Sequence, residues 1–296
     1  MKTKFKSILR SVCHSFIGLV CAGAIILIAS SAQAQNLFVS DYGGYIYEFT
    51  PGGVRSTFAS GLNVPDGLAF NSAGDLFEAD AGSGNIYEFT PNGVRSTFAS
   101  GLSGPYGLAF NSAGDLFDAD SHSGNIYEFT PGGVRSTFAS GLPGVQTLAF
   151  NSAGDLFVTY NGSIIEITPG GVQSIFFDND NYRDIEELAF NSTGDLFASD
   201  WLNYGLYEIT PGGVESTFVS TDPIMPECLA FNSAGDLLMT CGDIFEITPD
   251  GVRSTFASGS ALNAMAFEPV PEPSALGLLA VGTTALLVRC RRKLIT

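Results

Sequence analysis

An internal repeat of about 40 residues constrains this chain more than any other feature of its sequence. The string Asn-Ser-Ala-Gly-Asp begins at Asn71, Asn111, Asn151 and Asn232, and Asn-Ser-Thr-Gly-Asp begins at Asn191. The leucine that follows stands at 76, 116, 156, 196 and 237, and Leu37 holds the matching place at the start, so successive spacings are 39, 40, 40, 40 and 41 residues. A fixed period with units this short means stacked supersecondary units, each burying its apolar face against the next. Within a period, turn signals separate four short runs rich in aromatic and β-branched residues. In the second copy these are 67–71, 76–80, 85–90 and 94–100, here called strands a, b, c and d. The Asn-Ser-Ala-Gly-Asp string turns a into b. Thr-Pro-Gly-Gly, or Pro followed by Asn92-Gly93 or Asp250-Gly251, turns c into d. Proline fixes φ there, and glycine or asparagine accepts a positive φ. The pattern predicts an all-β fold, a six-bladed β-propeller of four-stranded blades over 35–269.

The strand count also predicts how the ring shuts. The repeat region opens at Asn36 directly on a b strand, and the last copy ends on an a-like strand at 264–268. One blade is therefore shared, with strand a (264–268) from the C-terminal side joining strands b–d (37–60) from the N-terminal side. Closure of this kind removes the open sheet edge, and a monomer is expected.

Charge narrows the partners. Residues 35–270 hold five Arg, no Lys and 29 acidic residues, a net of −24 with His122 neutral. Such a surface repels phosphate backbones, so no nucleic-acid partner is expected. Only His122 lies outside the leader, which removes polyhistidine metal sites and leaves His-dependent mechanisms a single residue.

The repeated charges have a structural explanation. A Thr-Pro-Gly-Gly turn is expected to set Glu48 against Arg55, Glu88 against Arg95, Glu128 against Arg135 and Glu246 against Arg253 across strands c and d. Arg183 alone is left over. Asp41, Asp80, Asp120 and Asp200 end their b strands, where a turn-capping role is expected. Cys228 and Cys241 are placed opposite each other in strands a and b of one blade. Either a cross-strand disulfide or a pair of packed reduced thiols satisfies that position.

What varies between copies is confined to one face. In an up-and-down blade the a–b and c–d turns share one side of the ring, and these are nearly identical in every copy. The b–c loops and the d-to-a crossings share the other side, and they differ. Variation on one face of a regular scaffold is the pattern of a binding surface. The candidate ligand-binding residues there are Asp66, Tyr106, Gln146, Arg183, Glu186, Trp201 and Tyr204, with the aromatic rings suited to stacking on sugars. Asp66, Glu187, Glu227 and Asn263 are a candidate oxygen-ligand set for a divalent cation, calcium by its hardness. A solvated acidic rim is the competing reading of the same residues.

The two ends read as addresses. Lys2 to Arg10 is a positive region, Phe16 to Ala29 an apolar run, and Ala32-Gln33-Ala34 a small-x-small site. Residues 1–34 thus read as a signal peptide cut between Ala34 and Gln35. At the other end, Val270-Pro271-Glu272-Pro273-Ser274 precedes an apolar stretch, 275–288, and the basic cluster Arg289-Cys290-Arg291-Arg292-Lys293. The apolar stretch is shorter than the ~20 residues a spanning helix prefers, and the basic cluster would hold its end on the cytoplasmic side. This tripartite tail, 270–296, resembles the PEP-CTERM sorting signal of Gram-negative bacteria. The resemblance implies cleavage by an exosortase near Pro271-Glu272-Pro273 and transient residence in the inner membrane through 275–288. Delivery to the cell surface or extracellular matrix, often beside exopolysaccharide, follows.

The unit Pro65 to Asp80, Pro-Asp-Gly-Leu-Ala-Phe-Asn-Ser-Ala-Gly-Asp-Leu-Phe-Glu-Ala-Asp, resembles an NHL-type repeat and the gluconolactonase-like propellers. The second resemblance implies a divalent metal in the channel and a carboxylate base, for which Glu187 or Glu227 are the candidates. Two functions follow from different classes. One is a non-enzymatic surface or matrix protein that binds polysaccharide or protein; the other is a metal-dependent lactonase or related hydrolase. A scaffold resemblance does not choose between them.

Overall fold

Each copy of the repeat folds into a four-stranded antiparallel sheet. The computed structural model describes residues 35–178, 184–220, 225–259 and 262–270, and every regular element among them is a strand. Six sheets result, arranged as a six-bladed β-propeller. The signal region 1–34, the sorting tail with Pro271, Glu272 and Pro273, the apolar segment 275–288 and Arg183 lie outside the described residues. No helix among the described residues is long and apolar enough to cross a membrane.

The turns behave as their composition demands. In the second blade the Asn71 side-chain carbonyl accepts from the amides of Ala73 and Asp75, both at 2.9 Å, while its Nδ2 donates to Asp75 at 3.0 Å. This closed loop of bonds fixes the a–b hairpin, and Gly74 adopts the positive φ of +88° that the turn requires. At the c–d turn, Thr90 and Val94 bond through Thr90 N to Val94 O at 3.1 Å, and Gly93 takes φ +76°.

That five-residue closure corrects the expected c–d register by one position. Phe49, not Glu48, lies opposite Arg55; Glu48 lies opposite Ser56. The same shift holds in the other blades with arginine, where Arg95, Arg135 and Arg253 oppose Phe89, Phe129 and Ile247. The guanidinium groups rest on aromatic faces instead, Arg55 over Tyr47 at 4.6 Å, Arg95 over Tyr87 at 4.9 Å and Arg135 over Tyr127 at 5.0 Å. These are cation–π contacts worth about 0.5–1 kcal/mol each at exposed sites.

The core is laid down between blades. Phe77 of strand b meets Phe98 of strand d edge-on at 5.0 Å and Phe110 of the next strand a at 5.1 Å. Phe38, Phe117, Phe157 and Phe197 repeat the arrangement in their own blades. The aromatic seam therefore carries each blade onto its successor. At the sixth junction Leu238 takes the phenylalanine's place beside Phe256 and Phe267 in the buried cluster that joins the chain's two ends.

Closure follows the predicted route. β24 (Leu262–Phe267) pairs antiparallel with β1 (Leu37–Asp41), with Leu37 opposite Phe267, so the first blade is built from both ends of the chain. The strand starts two residues before the expected 264 and ends one before 268.

Candidate functional site

Strand a enters its blade through a β-bulge. In the second blade, pairing shifts between Pro65 and Leu68, leaving Asp66 and Gly67 unmatched against strand b. The same irregularity falls at Tyr106-Gly107, Glu186-Glu187 and Asn263-Ala264. A bulge re-aims side chains and bends its strand, and here it delivers two consecutive residues from each of these four blades to the propeller axis.

Three stacked rings result. The outer ring is Asp66, Tyr106, Gln146, Glu186, Glu227 and Asn263; beneath it lie Gly67, Gly107, Thr147, Glu187, Cys228 and Ala264; Leu68, Leu108, Leu148, Leu188, Leu229 and Met265 form an apolar floor. Together with Tyr42 and Trp201 from b–c loops they line one cavity of about 340 Å³, at the small end of the ~300–1,000 Å³ range of ligand pockets. The ring narrows on the side of the second and third blades. A Cβ on Gly67 would stand 2.1 Å from the Tyr106 carbonyl oxygen, and one on Gly107 2.2 Å from that of Gln146.

Of the residues expected on the binding face, Asp66, Tyr106, Gln146, Glu186 and Trp201 meet in this cavity, as do Glu187, Glu227 and Asn263. Tyr204 does not line it; this residue sits at φ +51° in the hairpin between strands b and c. Tyr42 and Thr147 were not singled out from the sequence. Tyr42 follows Asp41 as Trp201 follows Asp200, and Thr147 holds the register place of Glu187, so aligning the copies would have found both.

The carboxyl groups are not equivalent. Glu187 accepts the Thr147 hydroxyl and, at 3.1 Å, the amide of Leu188, while its own backbone amide donates to Ser199 Oγ at 3.0 Å. Burial raises its pKa to about 7 against these hydrogen bonds. Burial also raises Glu186 to about 7, helped by Asp184, Glu227 and Asp66. Asp66 rises to about 6 by burial, with a hydrogen bond from Asn263 opposing. Glu227, exposed at the rim, is raised by partial desolvation. Tyr42 is pushed up to about 12 by desolvation and then by Asp66 and Glu227, which places its phenol in the negative field of the mouth. No basic side chain among the described residues lines the cavity.

The candidate cation ligands share the cavity without closing on one point. Among the described residues no three His, Cys, Asp or Glu side chains form a group that could hold a metal ion. Asn263 spends its amide on the Pro65 carbonyl at 2.9 Å and on Asp66, and Glu187 is engaged by Thr147. In this arrangement the residues do not fit a divalent coordination shell.

The cysteines part company. The Cys228 carbonyl accepts the Thr240 amide at 3.1 Å, and the Cys228 amide donates to Thr240 Oγ1 at 3.2 Å, so Thr240 and not Cys241 lies opposite. Cys241 closes the next hairpin against Asp243. Both thiols are free, with Cys228 buried in the channel wall, and the alternative of a disulfide is not realised.

The b-strand aspartates cap turns as expected. Asp80 accepts the amides of Asn63 (2.8 Å) and Ser83 (3.0 Å), tying a b–c loop to a d-to-a crossing, and Asp120 does the same for Ser103 and Ser123. His122 bonds the Ser103 carbonyl through Nδ1 and stands edge-on to Tyr106 at 6.5 Å, so it buttresses that ring from outside the cavity.

Comparison with known proteins agrees with this architecture. Residues 269–293 match the PEP-CTERM protein-sorting motif. No match was found among curated protein sequences. Among solved structures, a chain of a nidogen/laminin complex has 17% identity and a TM-score of 0.71, covering 79% of this chain and 98% of that one. A gluconolactonase from Xanthomonas campestris has 13% identity and a TM-score of 0.65, covering 81% and 93%. Virginiamycin B lyase from Staphylococcus aureus has 17% identity and a TM-score of 0.61, covering 76% and 85%. At these identities the likeness is one of fold. The chain is thus a six-bladed propeller that carries a PEP-CTERM motif, the mark of export and of exosortase-dependent delivery to the cell surface or beyond.

Proposed function

We propose that this exported propeller is a binding protein of the cell surface or matrix that takes polysaccharide at the channel mouth. One observation carries the reading. The positions that differ from blade to blade, Asp66, Tyr106, Gln146, Glu186, Glu227 and Asn263, meet in a single cavity. Positions that are nearly identical from copy to copy make the opposite face. Three aromatic rings, Tyr42, Tyr106 and Trp201, surround amide and carboxyl groups there, the combination that stacks on sugar rings and bonds their hydroxyls. The ends of the propeller support the same reading. Glu268 bonds Asn36, and Gln35 bonds Ser233 in an a–b turn, so both ends lie on the turn face and leave the mouth clear of the sorting tail's attachment.

Co-sedimentation with the host's exopolysaccharide tests this. Wild-type protein is expected to pellet with the polymer, and Trp201→Ala or Tyr106→Ala to lose at least tenfold in apparent affinity. Equal pelleting of all three proteins would count against the cavity.

A second reading rests on Glu187. A buried carboxyl near pKa 7, held by Thr147 inside a cavity, is poised for general acid–base work at neutral pH. It supports a lactonase or related hydrolase. A lactone panel with and without calcium, manganese or zinc, on wild type and Glu187→Gln, checks it; activity that Glu187→Gln retains would end it.

A further inference from the structure

Resting on the binding reading above, we infer that the channel mouth is built for a cationic sugar, one whose ring carries a free protonated amine. The cavity joins aromatic side chains to an excess of carboxyl groups that no basic side chain among the described lining residues offsets, a charge that a neutral sugar leaves uncompensated. Aromatic faces from Tyr42, Tyr106 and Trp201 border it, and carboxyl groups from Asp66, Glu186 and Glu227 rim it. An ammonium group satisfies both, by cation–π attraction to the rings and by charge-assisted hydrogen bonds to the carboxylates. Geometry disfavours a hard metal, because the acidic side chains do not converge in threes and Asn263 is already committed to Pro65 and Asp66. A phosphate or uronate would meet four carboxyl groups and no basic side chain among the described lining residues. The amine is placed on a sugar because the exposed Gln146 amide and the Trp201 ring stand in the same mouth, ready for hydroxyls and a ring face.

The titratable groups facing the bound amine are Asp66, Glu186, Glu187 and Glu227, with Tyr42, Tyr106 and Cys228 around them and Asp184 behind Glu186.

Isothermal titration of the purified protein at mildly acidic pH tests the inference. The probes are a glucosamine tetramer, its fully N-acetylated counterpart, tri-lysine and calcium chloride. The glucosamine tetramer is expected to bind at least tenfold tighter than the acetylated one. Glu227→Gln and Tyr42→Ala, both at exposed positions, are each expected to weaken it about fivefold or more while leaving the melting temperature unchanged. Equal binding of the two tetramers would overturn the inference and leave the binding reading standing. Tri-lysine binding as tightly as the glucosamine tetramer would overturn the sugar assignment. Displacement of the amine by micromolar calcium would make the mouth a metal site and overturn it as well. Loss of all these signals, together with failure to pellet with exopolysaccharide, would end both readings.

Discussion

The side chain of Gln35 spans the closure of the ring, donating Nε2 to the Glu268 carbonyl at 2.6 Å and accepting the Ser233 amide on Oε1 at 2.8 Å. Residues 233 positions apart are thereby fastened at one point of the turn face. Each such bond contributes about 0.5–1.5 kcal/mol net. Gln35→Ala is expected to lower stability by roughly 1–2 kcal/mol, read as a fall of a few degrees in the thermal midpoint. Deleting Leu262 to Phe267 is a harsher change, because it uncovers the whole edge of the first blade; aggregation instead of a shifted midpoint is the expected result.

Two carboxyl groups sit where the other blades have apolar side chains. Glu78 and Asp118 are fully buried, with no hydrogen-bond partner on either oxygen. Their counterparts in strand b are Val39, Val158, Ala198 and Met239. Desolvation, then the nearby Asp80, raises the Glu78 pKa to about 9, and desolvation and Asp120 raise Asp118 well above its ordinary value. A carboxyl raised in the folded state contributes no penalty below its unfolded pKa. Above that value it progressively destabilises the fold as pH climbs toward the folded pKa. Thermal midpoints of the wild type should therefore fall between about pH 5 and 9, and Glu78→Val with Asp118→Val should flatten the curve. The variant's advantage should reach on the order of a few kcal/mol near pH 8 and shrink toward pH 5. Parallel curves would show that these groups ionise at no cost.

The arginines of strand d test the corrected register. Since Arg95 rests on Tyr87 and lies opposite Phe89, Arg95→Ala should cost about 0.5–1 kcal/mol. Glu88→Gln should be neutral, because Glu88 meets Ser96. Chemical denaturation at low and at high salt checks this. Equal losses for both variants, abolished by salt, would restore a Glu88–Arg95 ion pair.

Crowding at the channel wall gives a further expectation. Gly107→Ala drives a methyl group against the Gln146 backbone and should destabilise by about 1–3 kcal/mol, the usual range for overpacking. Ala264→Gly, at the same ring position but with room for its methyl, should be far milder. Differential scanning calorimetry of the pair reads the contrast.

Much of this was legible in the sequence because repetition turns one inference into six. The period, the turn strings and the strand count at each end gave blade number and closure, and the outer ring from Asp66 to Asn263 fell out of the same alignment. Register within a hairpin was less accessible. It depends on which pair closes the turn, here Thr90 with Val94, and a one-residue error moved Arg95 from an ion pair to an aromatic face. The bulge at strand a was also hidden, since extra residues leave no mark in a hydrophobic pattern. Turn closure likewise sets the partner of Cys228, which faces Thr240 and not Cys241 because Phe231 pairs with Leu237 across the a–b turn, whereas the bulge is why Glu186 and Glu187 both reach the axis. Glu78 and Asp118 could have been found by asking which blade breaks the apolar rule of strand b.

Trp201 is the only tryptophan in the chain, and it lines the cavity, so its emission reports on the mouth without a label. Titrating the protein with fragments of the host's exopolysaccharide while following that emission tests the central claim most directly. A saturable change that Tyr106→Ala abolishes, and that Asn111→Ala on the turn face leaves intact, is the predicted result. Binding that leaves Trp201 unperturbed, or that is lost with Asn111→Ala but kept with Tyr106→Ala, would put the ligand on the other face and contradict the account.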